Sequence, residues 1–211
     1  MAITSDAIER ALQAWGLPRP DKQALQRFIL YAELLQLWNS KLNLTAIRDD
    51  DGILHRHLME GAFAASLVPP DAGTVLDFGS GAGIPGIPIA ILRPALKVTL
   101  ADANSKKAAF LREVARRIEL PLTVHAQRVT RRINEAGFDL VTMRAVDRLG
   151  SALLPASLQL APGGCLMFLV SERQGESVPG DVGRLVGNEL AWKHHLIPGT
   201  HRALILIGKP V

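Results

Sequence analysis

Asp77-Phe78-Gly79-Ser80-Gly81-Ala82-Gly83-Ile84-Pro85-Gly86 is the stretch on which the reading of this chain turns. Three alternating glycines follow directly on the apolar run 74–78. Glycine lets the backbone turn tightly and approach a bound molecule with no Cβ in the way. Pro85 suits the first turn of a following helix, where its missing N–H has no partner to lose. An ordinary surface turn needs one glycine rather than three. Strand, glycine loop and helix start therefore predict a nucleotide-cofactor site.

Outward from the loop, short apolar runs at 97–101, 122–125, 138–143, 165–170 and 203–208 read as further strands. Helical periodicity fills 85–92, 105–118, 149–160 and 181–191 between or beside them. Strands alternating with helices predict a mostly parallel α/β sheet with helices on both faces. Ligands of such sheets sit at the carboxyl ends of the strands. Before the loop the chain reads as helical. Ser5 or Asp6 can cap a short helix that Gly16 and Pro18 end, and Asp21 opens a longer one reaching about Trp38. A polar stretch, Asn39 to Asp51, precedes a helix from Gly52 to Leu67 that Pro69-Pro70 stops. One domain is expected, with residues 1–70 a helical extension and 71–211 the cofactor-binding core.

The loop alone leaves two cofactors open, because Gly81-Ala82-Gly83-Ile84-Pro85-Gly86 also fits the dinucleotide pattern G-x-G-x-x-G. A carboxylate at Asp77 would repel a pyrophosphate but suits the ammonium of S-adenosylmethionine. The spacing D-x-G-x-G-x-G is similar to the first motif of class I methyltransferases. Asp102 ends the next strand, 23 residues after Gly79, where an acid can accept both ribose hydroxyls in either cofactor class. Gly81→Val is expected to abolish cofactor binding while leaving the fold.

Further residues fit one family pattern: Trp38-Asn39, Asn43-Leu44-Thr45, His57, Gly79 through Pro88, Lys106-Lys107 with Phe110-Leu111, and Arg144-Ala145. The chain resembles the glucose-inhibited division protein B family, the small-subunit (16S) ribosomal RNA guanine-N7 methyltransferases. The resemblance implies a class I, Rossmann-like fold, S-adenosylmethionine as cofactor, and 16S ribosomal RNA or the small subunit as partner. It also places cofactor contacts at Gly79, Ile84, Val129, Thr130 and Arg144, beside Asp77, Gly81, Gly83 and Asp102 from the motif. The chain departs from the family at His57-Leu58-Met59-Glu60-Gly61, usually His-Ile-Leu-Asp-Ser. It departs again at Thr130, usually an acid, and at Ser171-Glu172, usually Lys-Gly.

The target atom is constrained by what the chain lacks. Cys165, the single cysteine, follows Pro162-Gly163-Gly164 and reads as a small packed residue rather than the nucleophile a pyrimidine C5 target requires. Thr142-Met143-Arg144-Ala145 stands where exocyclic-amine methyltransferases carry Asn/Asp-Pro-Pro-aromatic. Guanine N7 has a free lone pair and needs no general base, so positioning would supply the catalysis. Arg144 is the candidate for that positioning, holding the cofactor, the guanine O6 or a phosphate.

The 211 residues are 48% apolar and 21% charged, which argues against disorder. No apolar run reaches the ~18 residues of a membrane span, and Met1 to Asp6 shows no secretory leader. A cytoplasmic monomer without membrane or metal partners is expected. The net charge of +4 hints at a polyanionic partner. Candidate RNA contacts are Lys41, Arg56, His57, Lys106, Lys107 and Arg128, with His55, Arg112, Arg116, Arg117, Arg131 and Arg132 in reserve. Glu113 is placed to pair with Arg117 at i,i+4. The sequence leaves open a dinucleotide oxidoreductase, a non-catalytic RNA-binding or ribosome-assembly protein, and a small-molecule methyltransferase.

Overall fold

The computed structural model describes residues 3–144, 149–186, 190–200 and 203–210. Met1, Ala145 and residues 187–189 of the expected last helix lie outside them. Strands β1 (Thr74–Phe78), β2 (Lys97–Ala101), β3 (Thr123–His125), β4 (Phe138–Arg144), β5 (Leu160–Ser171), β6 (Leu190–Leu196) and β7 (Ala203–Pro210) form one sheet. Their order is β3-β2-β1-β4-β5-β7-β6. β1 to β5 pair in parallel, and β7 and β6 extend the sheet antiparallel. The chain moves outward from β1 through β2 and β3, then returns to lay β4 on the other side of β1. That reversal makes a crevice at the carboxyl ends of β1 and β4.

Period-two burial explains why both faces carry helices. In β5, Cys165, Met167 and Leu169 join one core while Leu166, Phe168 and Val170 join the other. The first core packs α1 (Ser5–Ala14), α2 (Lys22–Leu42), α4 (Glu60–Ser66), α5 (Gly86–Leu92) and α6 (Ser105–Ile118). The second packs α7 (Leu149–Ser157) and α8 (Glu172–Val186). Phe28, Tyr31 and Phe110, all at 0% exposure, anchor the first core. Each such side chain contributes about 2 kcal/mol of burial. The helical extension and the sheet therefore share one apolar interior.

Local differences from the sequence reading have identifiable causes. Thr4, rather than Ser5 or Asp6, caps α1, its hydroxyl accepting from Ala7 N at 3.2 Å. Asp6 instead lies in the first turn, where a negative charge meets the positive helix end. Asp21 caps α2 as expected, but the helix continues past Trp38 to Leu42 and ends at left-handed Asn43. Asn39 tolerates burial there because its amide donates to Ile47 O and accepts from Thr45 N. The helix expected over 52–67 is interrupted: α3 (Asp50–Ile53) leads into a π-helical turn, Leu54–Met59, before α4. α8 starts at Glu172, nine residues before the expected 181, because Val178 and Val182 bury one stripe in spite of Pro179 and Gly180. β6 occupies an outer edge and was not foreseen. β5 begins at Leu160, five residues early, across a register shift against β4 between Phe138 and Leu140.

Candidate functional site

The glycine loop leaves β1 and is fixed by bonds that require its backbone shape. Gly79 N and Ser80 N both donate to Ala101 O at 2.9 Å, and Gly83 N donates to Ser80 O at 2.7 Å. Gly79, Gly81 and Gly83 have φ of 73°, 58° and 93°, a region L side chains enter at a cost of about 1–2 kcal/mol. Their uses differ. A Cβ on Gly83 would lie 2.2 Å from Ile87 Cδ1, so that residue must be small for the loop to close on α5. A Cβ on Gly79 meets nothing within 4 Å, and one on Gly81 meets only Gly79 O at 3.7 Å. The space beside these two lies open.

Asp77 is 1% exposed, and its carboxylate serves the loop. Oδ2 accepts from Ser80 Oγ at 2.5 Å and from Gly86 N at 3.2 Å, and Oδ1 accepts from Thr142 Oγ1 at 2.9 Å. Gly86 N is one of the unpaired donors at the start of α5, where a negative charge is favoured. Burial pushes the Asp77 carboxyl up to about 6, while these hydrogen bonds and Arg144 pull it back. The carboxylate expected to meet the cofactor's ammonium, directly or through a water, is thus enclosed and bonded within the loop, which leaves no exposed face for direct contact.

Asp102, at the end of β2, braces the loop from the other side. Its Oδ2 accepts from Gly81 N at 2.9 Å and its Oδ1 from Asn104 N at 2.8 Å. A carboxylate has about four acceptor sites, so these bonds leave capacity for hydroxyls. Gly79, Asp102, Arg128, Val129 and Thr130 line one cavity of about 540 Å³, with Phe78, Ala152 and Pro155 completing its apolar walls. That size suits a nucleoside-sized ligand, and the open side of Gly79 faces no other atom. The structure thus brings four of the expected cofactor residues, Gly79, Asp102, Val129 and Thr130, to one place. Asp77, Gly83 and Ile84 are buried beneath the loop. A second cavity, about 560 Å³, is lined by Arg93, Pro94 and Glu119 to Pro121. These residues precede β2 and β3, which sets it at the opposite end of the sheet.

Arg144 closes β4 two residues beyond Thr142, which faces Asp77 across the β1–β4 pair. It is outside the cavity lining and reaches instead to the π-helical turn. NH2 lies 2.8 Å from Glu60 Oε2 and donates to Arg56 O at 2.6 Å, while NH1 lies 3.1 Å from His57 Nδ1. His57 Nδ1 also lies 3.0 Å from Arg56 O, and Nε2 lies 3.1 Å from Thr45 Oγ1. A guanidinium only donates, so the Arg144 bond belongs to the tautomer with its proton on Nε2, whose N–H donates to Thr45, whereas a proton on Nδ1 would go to Arg56 O instead. His57 is 3% exposed, and burial followed by the Arg144 charge pulls its pKa down to about 3 against the pull of the Arg56 carbonyl. It is a neutral histidine under Arg144, which corrects its assignment as a phosphate contact. Burial pushes the Glu60 carboxyl up, opposed by Arg144 and Arg56. Tyr31 joins the extension to the loop, its hydroxyl donating to Ala82 O at 2.7 Å. Neither Tyr31 nor Glu60 was singled out as a site residue. For Tyr31 the signal is a polar group at an otherwise apolar helical position, and for Glu60 it is a carboxylate kept where the resembled family has aspartate.

Lys41, Arg56, Lys106 and Arg128 are exposed, and Lys107 is half-buried. Arg132 is otherwise engaged: Nε donates to Leu158 O and NH1 to Glu135 O, both at 2.8 Å, and NH2 donates to Leu160 O. It fastens the β3–β4 loop rather than facing a ligand. Glu113 pairs with Arg116, at 2.8 and 3.0 Å, rather than with Arg117. Cys165 is 3% exposed and its thiol is pushed up to about 11 by burial, as befits a packed residue. Among the described residues, no group of three or more His, Cys, Asp or Glu could hold a metal ion. Nor is any helix long and apolar enough to cross a membrane.

Five parallel strands extended by antiparallel β7 and β6, with a glycine loop after β1 and an acid after β2, are the fold of a Rossmann-like methyltransferase, and its relatives identify the cofactor as S-adenosylmethionine. An Aquifex aeolicus S-adenosylmethionine-dependent methyltransferase shares the fold, with a TM-score of 0.60 over 77% of this chain and 95% of that one at 14% identity. Residues 24–180 match the model of the GidB family, described as rRNA small subunit methyltransferase G, and the chain belongs to that family. A ribosomal RNA small subunit methyltransferase G from Xanthomonas euvesicatoria pv. vesicatoria is 40% identical over 166 residues, 78% of this chain and 76% of that one. Its counterpart from Xanthomonas campestris pv. campestris is 35% identical over 202 residues, 92% and 93% of the two chains. The dinucleotide oxidoreductase weighed from the loop alone finds no support in these relatives.

Proposed function

We propose that this protein transfers a methyl group to N7 of a guanine in 16S ribosomal RNA of the small ribosomal subunit. The observation that carries the reading is membership of the GidB family across residues 24–180. When bound, S-adenosylmethionine supplies an electrophilic methyl on a sulfonium. The chain's own residues supply the rest. Gly79 and Gly81 leave their backbone open to the cofactor, and Asp102 accepts its ribose hydroxyls. Val129 offers an apolar wall and Thr130 a backbone contact in the same cavity. Asp77, Gly83 and Ile84 act from beneath by holding the loop.

Guanine N7 has a free lone pair and needs no base, which fits the state of the two buried titratable groups beside the loop and Arg144. His57 is neutral and paired, and Asp77 is enclosed, so neither stands ready to take a proton from an acceptor. Catalysis then rests on orientation and on a preorganised, water-poor crevice. Arg144 lies on the β1–β4 side, away from the nucleoside cavity, and we assign it to the acceptor guanine or its phosphate. Lys41, Arg56, Lys106, Lys107 and Arg128 hold the RNA backbone. The protein acts in the cytoplasm as a monomer.

The test is transfer of label from S-adenosylmethionine to small subunits, and to their extracted RNA, from a host lacking the modification. Digestion to nucleosides should place the label in 7-methylguanosine. Absence of label from both substrates, with cofactor binding shown separately by calorimetry, would overturn the reading in favour of a non-catalytic RNA-binding protein or a small-molecule methyltransferase.

A further inference from the structure

We infer that Glu60 is a positioning residue for methyl transfer, acting through Arg144 from the helical segment that precedes the cofactor sheet. The inference rests on the function proposed above. Arg144 ends β4 at the crevice where the sheet order reverses. An arginine at such a strand end has several rotamers open to it, and methyl transfer to a lone pair depends on fixed geometry. Here the side chain is held by three acceptors, all within residues 56–60: Glu60 Oε2, Arg56 O and His57 Nδ1.

Glu60 is the acceptor that decides the arrangement. Arg56 and Arg144 bring two guanidiniums to one site, with Arg56 Nε 3.9 Å from Glu60 Oε1 and Arg144 NH2 2.8 Å from Oε2. The Arg56 side chain is 65% exposed and screened by solvent, and the carboxylate is the one opposing charge that enclosed Arg144 meets among these contacts. Side-chain exposures of 6% for Glu60 and 15% for Arg144 keep water from replacing it. The two remaining contacts, with Arg56 O and through neutral His57 to Thr45, are hydrogen bonds that carry no opposing charge. Gly61, the next residue, presses on Pro88 so closely that an added Cβ would lie 2.4 Å from Pro88 Cγ. α4 therefore cannot slide against α5, and the Glu60 backbone is fixed relative to the helix that follows the glycine loop.

Kinetics of Glu60→Gln against the wild type on small subunits, together with S-adenosylhomocysteine calorimetry, test the role. The expected result is a kcat about 100-fold lower, with cofactor affinity and the KM for RNA within about threefold of wild type. A packing role alone would lower the melting temperature and leave kcat per folded molecule unchanged, and that outcome overturns the inference. Should Glu60→Gln fail to fold, Arg144→Gln and the double variant replace it, since the double leaves no unpaired buried charge. Glu60 acts through Arg144, so under single-turnover conditions the double variant should match Arg144→Gln within about twofold. A double variant tenfold slower than Arg144→Gln overturns the inference. A wild type that labels no RNA overturns the functional reading and this inference together. An active wild type equalled by Glu60→Gln overturns this inference alone.

Discussion

The glycine loop and the Arg144 cluster stand at the same end of the sheet but are built by opposite means. The loop is a local object: ten consecutive residues whose shape follows from positive φ at three glycines and from backbone bonds to the neighbouring strand. The cluster is assembled from side chains at 45, 56, 57, 60 and 144, joined across more than eighty residues of sequence. A backbone-built site needs glycine and tolerates little else. A side-chain-built site can exchange partners provided charge and hydrogen bonds stay satisfied. The loop therefore signals its presence in any sequence that has it, whereas the cluster becomes visible only once the chain has folded.

The largest effect should come from violating the loop where it has no room. A Cβ at Gly86 would fall 2.5 Å from Leu100 Cδ2 and 2.8 Å from Asp77 Cβ. Gly86→Val should cost about 3 kcal/mol or more by overpacking, read as a fall in the urea midpoint. Gly81→Val meets open space instead, so its stability loss should stay near the ~1–2 kcal/mol of a strained φ. Its S-adenosylhomocysteine affinity should nevertheless drop beyond detection in calorimetry. Equal losses of stability in the two variants would erase the distinction between glycines that pack the fold and glycines that admit a ligand.

Tyr31 is the bridge between the two regions and should give the next effect. Its hydroxyl donates to Ala82 O in the middle of the loop from α2 in the extension. Tyr31→Phe keeps the ring, which is at 0% exposure, and leaves a buried carbonyl without its donor. The expected cost is about 1–2 kcal/mol, with a severalfold loss of cofactor affinity as Ala82 loosens. Stability lost with affinity intact would mean that the extension supports the fold without shaping the loop.

Sequence reading succeeded where periodicity and turn chemistry act over short range. β1, β2 and α6 fall on the expected residues, and Gly79, Asp102, Val129 and Thr130 share a cavity. It failed where tertiary contacts override local preference. α8 forms through Pro179 because Val178 and Val182 find a core to fill, and β6 forms because β7 offers it an edge. At Asp77 the sequence shows the strand end but not the helix start nine residues on, whose Gly86 N–H the carboxylate takes. Arg132 looked like a phosphate contact because basic charge in a sequence does not reveal which carbonyls already use it.

The smallest effect, and the one that separates the two regions by sign, is the response to acid. His57 folds neutral, with its pKa pulled from an ordinary 6.5 down to about 3. The unfolded chain therefore binds the proton first, and stability falls as pH drops below about 6.5, by about 1.4 kcal/mol per unit until the folded value is reached. Asp77 runs the other way. Its folded pKa, raised from 3.8 to about 6, means the native state binds the proton first, so acid between about 6 and 4 stabilises the loop. Urea midpoints of the wild type and His57→Gln from pH 8 to 5.5 isolate the difference. Glutamine can still accept from Arg144 and donate to Thr45, so the two proteins should be close at pH 8. At pH 5.5 the variant should be ahead by about 1.4 kcal/mol. Parallel pH profiles would show that His57 takes up its proton without leaving Arg144, and the cluster would then tolerate two facing cations that the geometry says it excludes.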